Sequence, residues 1–81
     1  MKSKDEVRDT LLGILRDMDK DCEYKAGADI FEDFGLDSLD QIEFLFNIEQ
    51  AFGTKIEDET FEEQGLRQFD QLVEHLHAAQ G

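Results

Sequence analysis

The fold hangs on Gly35-Leu36-Asp37-Ser38-Leu39-Asp40-Gln41-Ile42-Glu43-Phe44-Leu45-Phe46-Asn47-Ile48-Glu49-Gln50-Ala51-Phe52-Gly53. Leu39, Ile42, Leu45, Ile48 and Phe52 recur at three- and four-residue steps, the period of one helix face, and Phe44 and Phe46 widen the apolar arc. Gly53 stands where a helix commonly ends in a left-handed residue. At the other end Asp and Ser are both preferred N-caps, and Ser38 with Gln41 matches a capping box. A capped helix start is a sufficient structural account of these residues. A serine in that position also sets its hydroxyl at the surface beside unpaired amides, where the helix dipole favours a phosphate by roughly 0.3–1 kcal/mol. A covalently attached phosphodiester suits it.

Working outward, Ser3 and Glu6 form a capping-box pattern, and Val7, Leu11, Ile14, Leu15 and Met18 then describe an amphipathic helix of about four turns. From Asp19 to Leu36 the periodicity stops. Gly27 and Gly35 bracket Ile30, Phe31 and Phe34, so this long connection is expected to fold back with its aromatics in the core. Downstream, Ile56 precedes Asp58, read as the N-cap of a short helix Glu59 to Gln64 that carries Phe61 and breaks at Gly65. Phe69, Leu72, Val73 and Leu76 mark a last helix that frays through Ala78, Ala79 and Gly81. No segment alternates as a strand does. The expected fold is all-α, a small four-helix bundle of three main helices plus one short one, in a single domain spanning residues 1–81.

Composition narrows the function. The chain has 81 residues, 21 acidic against 8 basic side chains and a net charge of -13, which argues against two domains and against binding nucleic acid. With 40% hydrophobic residues, seven of them Phe, it lies above the disordered range. The opening Met1-Lys2-Ser3-Lys4 runs into Asp5 and Glu6, and the longest apolar run is Phe44-Leu45-Phe46, so neither a signal peptide nor a membrane span is expected. Cys22 is alone, with no disulfide partner and no metal-binding spacing, which points to a reducing compartment and a cytoplasmic protein. Residues 1–20 carry five bases and five acids, so the whole excess of negative charge lies beyond them. That acidity suits a solvated face that keeps the chain soluble and monomeric, and equally an electrostatic handle for basic partners. Composition does not choose between the two.

Catalytic and metal chemistry find little support. Asp17, Asp19 and Asp21 alternate like the start of a calcium loop, but Cys22 and Ala28 stand where an EF-hand needs Gly and Glu. His75 and His77 lie two apart on a helix and so face different ways. Ser38 has no nucleophile-elbow glycines around it and too little chain to wall off a substrate pocket. No metal site is assigned, and the chain is not expected to be an enzyme.

Leu36-Asp37-Ser38-Leu39-Asp40, running into Ile42-Glu43-Phe44 and on to Ile48-Glu49 and Phe52, resembles the acyl carrier protein family, and the likeness covers nearly the whole chain. The resemblance implies a bundle of acyl-carrier-protein type whose Ser38 carries 4′-phosphopantetheine, transferred from coenzyme A by a magnesium-dependent phosphopantetheinyl transferase. It implies that Asp37 helps the transferase at its metal-bearing site. Asp40 and Glu43 would meet basic patches on acyl-loading and acyl-transferring enzymes, with Leu39 and Phe46 giving apolar contact. The arm's thiol would hold acyl cargo as a thioester for fatty acid, polyketide or specialised biosynthesis, with no membrane or nucleic-acid partner.

Some positions depart from the family's fatty-acid members, which usually carry a denser acidic run where this chain has Gln50 and Ala51 and a proline where it has Glu57. Lys55 and Arg67 also interrupt the negative surface. These departures favour a specialised pathway. An aminoacyl or peptidyl carrier is the alternative within the family, and an unmodified acidic helical module that only binds proteins is the alternative outside it. Phe44, Phe46, Phe52 and Phe61 are expected to crowd the space near the second and third helices, leaving little room for a long chain.

Overall fold

A computed structural model describes residues 2–21 and 23–80, so the readings of Cys22 and Gly81 lie outside the described residues. The helices are α1 (Lys4–Asp17), α2 (Ser38–Phe52), α3 (Asp58–Glu63) and α4 (Phe69–Ala79). Among the described residues there is no strand, only an isolated antiparallel bridge between Asp29 and Gln68. None of these helices is long and apolar enough to cross a membrane.

The expected capping box opens α1: the Glu6 amide donates to Ser3 Oγ and the Ser3 amide to Glu6 Oε1, both at 3.2 Å. Val7, Leu11 and Leu15 are buried on one face, and α1 packs on both α4 and α2. Its end needs no glycine. Asp19 takes φ 60°, its amide donates to the Arg16 carbonyl at 3.0 Å and the Lys20 amide to the Leu15 carbonyl at 2.9 Å. Those two bonds make a Schellman stop, with Asp filling the left-handed position that it tolerates better than most residues. Lys20 is thereby fixed at the mouth of the long loop.

That loop is closely tied down. The Ile30 amide donates to the Arg67 carbonyl and the Phe69 amide to the Ala28 carbonyl, both at 2.9 Å, sewing the loop to the α3–α4 connection. Arg67 Nε lies 2.6 Å from Asp29 Oδ2, and its guanidinium sits 4.8 Å over the Phe31 ring. Tyr24 donates its hydroxyl to Asp70 at 2.7 Å. Ile30 and Phe34 are buried as expected, while Phe31 is half-buried. Gly35, at φ 76°, then turns the chain so that Leu36 enters the core and Asp37 stays outside.

Three expectations about caps and helix faces need correction. The Ser38–Gln41 capping box does not form, because Ser38 is already the first helical residue and its side chain comes one position too late; extended Asp37 is the N-cap and Asp40 its reciprocal partner. Asp58 likewise belongs inside α3, whose N-cap is Glu57 without a side-chain hydrogen bond. The α2 stripe is also rotated. Phe44, Leu45 and Ile48 are buried, but Leu39 is 76%, Ile42 64% and Phe46 57% exposed. α1 takes one side of α2, and the segment leading into the six-residue α3 leaves an open groove of about 330 Å³ along Ile42, Leu45 and Phe46.

The expected aromatic crowding therefore does not occur along α2. Phe46 points to solvent, and the rings meet instead around the loop: Tyr24 and Phe34 lie 5.7 and 5.2 Å from Phe69, and Phe31 meets Phe61 edge-on at 6.5 Å. Tied-down loop residues compete for the core with helical ones, a contest that helical periodicity does not register.

Candidate functional site

The start of α2 is where Asp37, Ser38, Leu39 and Asp40 come together, with Glu43 one turn further along. Asp37 Oδ1 accepts from the Asp40 amide at 2.9 Å, and Asp40 Oδ2 accepts from the Asp37 amide at 3.2 Å. This reciprocal cap holds the turn without the serine. Ser38 is exposed, its hydroxyl is not used in the cap, and the first-turn amides of Ser38 and Leu39 have no intrahelical acceptor. The hydroxyl is thus displayed at the positive end of a 15-residue helix.

Lys20 completes the site, and sequence reasoning missed it. Its Nζ lies 2.8 Å from Asp40 Oδ2, with each side chain only about a quarter exposed (25% and 24%). The Lys20 ammonium, aided by the Asp37 amide, holds the Asp40 carboxyl below the usual carboxylate range. Reciprocally, the hydrogen bond to Asp40 raises the lysine above its ordinary value, and the charges of Asp37 and Glu43 add to it. Nothing local in the sequence signals this pair. It depends on where the Asp19 stop aims the chain and on how α1 packs against α2.

Further along α2, Leu39, Ile42 and Phe46 form an exposed apolar strip with Glu43 exposed beside it. Ile42 belongs to that strip although periodicity assigned it to the core; its spacing from Leu39 and Phe46 was the available clue. Between the loop, α2 and α3 lies a second cavity of about 310 Å³, lined by Phe31, Gln41, Phe61, Glu62, Gly65 and Arg67.

The donor set fits a group joined through a phosphodiester: a hydroxyl and two amides with no hydrogen-bond partner among the described residues, and a helix dipole of the right sign. Comparison with known proteins gives the same direction. Residues 5–76 match the family model described as a phosphopantetheine attachment site. The chain is also 32% identical over 80 residues to the mitochondrial acyl carrier protein of Saccharomyces cerevisiae, an alignment covering 91% of this chain. It spans 62% of that relative's length. With four helices and no strand among the described residues, a match over most of its length and this relative, the chain belongs to the acyl carrier protein family, and its cofactor is covalently bound 4′-phosphopantetheine.

Proposed function

We propose that Ser38 is the attachment residue, and that residues 1–81 act as one monomeric carrier domain presenting acyl intermediates to biosynthetic enzymes. The observation that carries this reading is the exposed hydroxyl of Ser38 at the first helical position of α2, left free because Asp37 does the capping. When bound, the arm supplies a thiol that holds the cargo as a thioester. The protein's own part is presentation. Asp37 and Asp40 seat the serine, and tethering raises the local concentration of whatever the arm carries at a partner's active site.

The resemblance also gives Asp37 a place at the transferase's metal-bearing site, where its carboxylate, on the residue before Ser38, would face the incoming enzyme. The exposed strip of Leu39 and Phe46, with Glu43 beside it, supplies the partner surface. Exposed charge speeds encounter and is screened by salt, which suits a carrier that must leave each enzyme in turn. Acyl cargo is favoured by the name of the yeast relative, and Gln50, Ala51 and Glu57 favour a specialised pathway.

Incubation with coenzyme A and a promiscuous phosphopantetheinyl transferase should add one phosphopantetheine by intact-protein mass spectrometry. Ser38→Ala should remain helical by circular dichroism and gain nothing. Labelling of that variant would move the attachment elsewhere, and no labelling of the parent would leave an acidic module that only binds proteins.

A further inference from the structure

Beside Ser38 the carboxylate of Asp40 is already engaged. Its Oδ2 accepts both from the Asp37 amide at 3.2 Å and from Lys20 Nζ at 2.8 Å. Lys20 arrives there because the left-handed Asp19 and the Lys20 amide bond to the Leu15 carbonyl set the chain's exit from α1. A cation is out of place at a helix N-terminus, where the dipole opposes it. It is held because Asp40 binds it directly while Asp37 and Glu43 surround it with negative charge. Glu43, by contrast, is exposed and forms no ion pair among the described residues.

We propose that Lys20 takes the place on Asp40 that a partner's cation would otherwise occupy, so that a basic loading enzyme engages Glu43 and not Asp40. The proposal rests on Ser38 being the loaded residue and changes which acid beside it does the recruiting. The Lys20–Asp40 pair then acts as a neutral unit. It keeps the first turn of α2 seated and takes one negative charge out of the recognition surface, which tunes the association step without touching the serine.

The test is loading kinetics of the full chain with a phosphopantetheinyl transferase and coenzyme A at low salt. The double variant Lys20→Met/Asp40→Asn has the parent's net charge, and its asparagine oxygen still accepts from the Asp37 amide. Its KM should rise clearly less than that of Glu43→Gln, which should raise KM several-fold at unchanged kcat. Lys20→Met alone should lower KM by freeing a carboxylate for the enzyme. A double variant whose KM rises as much as that of Glu43→Gln overturns the proposal. Independently of any enzyme, the side-chain carboxyl resonance of Asp40 should titrate below the usual range in the parent and return towards it in Lys20→Met; an unchanged midpoint overturns the proposal even if the double variant does not fold. Failure of the parent to load at all sinks the Ser38 reading and this one together, while a double-variant KM raised as far as that of Glu43→Gln sinks this one alone.

Discussion

At Asp29 one buried carboxylate gathers Arg67 Nε at 2.6 Å and Nη2 at 3.3 Å together with the amides of Phe31 at 2.8 Å and Glu32 at 3.1 Å. Burial pushes its carboxyl up, but the bonds from Arg67, Glu32 and Phe31 outweigh it and hold the group below its ordinary value of 3.8. A carboxyl depressed in the folded state adds stability at pH above its unfolded value, and that stability drains as pH falls through the folded value. Asp29→Asn should therefore cost about 1–3 kcal/mol at pH 7, because donors lose a charged acceptor at a buried site. Urea denaturation of parent and variant from pH 7 downward checks this: the gap should stay constant to about pH 5 and narrow below pH 4. A gap independent of pH would mean that the variant acts through packing alone. Tyr24 has the opposite sign, since its bond to Asp70 raises the phenol, so its contribution is present at neutral pH and lost in alkali.

The element that matters most is the first turn of α2, where structure and chemistry share residues. Asp37→Ala removes the cap and should cost about 1 kcal/mol, read as a lower thermal midpoint. Asp37→Ser restores a capping oxygen without a carboxylate. It should regain most of that stability yet load more slowly than the parent, separating the cap from the part that Asp37 plays towards the transferase. Equal loading rates in Asp37→Ser and the parent would deny the carboxylate that part. The three longer helices are legible because each is an amphipathic stripe, and two ends carry local signals: Ser3 with Glu6 for the start of α1 and Gly53 for the end of α2. The exact cap of α2 was not, since Asp37 and Ser38 are both good caps and the choice depends on where Gly35 turns the incoming chain.

For the molecule as a whole, the net charge of -13 falls beyond residue 20, on a body with a radius of gyration of 11.3 Å. Like charges at that density oppose compaction. Added monovalent salt should raise the thermal midpoint at neutral pH, and magnesium should do so more at equal ionic strength. For a chain of this size each 1 kcal/mol gained is worth roughly 4–8 °C. A flat or falling midpoint across the series would place the charges too far apart to repel. The few cations do not dilute this acidity evenly: Arg67 is committed to Asp29 and Lys20 to Asp40.

The sequence by itself determined the helical class, the length of the connection after α1 and the serine at the head of α2, because helical period, caps and the Asp-Ser-Leu stretch are written within a few residues of one another. Only the tertiary structure decided that Ile42 and Phe46 face out, that Arg67 closes on Asp29, and that Lys20 covers Asp40. Those outcomes join residues twenty to forty positions apart. They follow from which helix faces are covered and where two turns aim the chain, and burial and charge pairing are settled by neighbours in space that a local pattern does not contain.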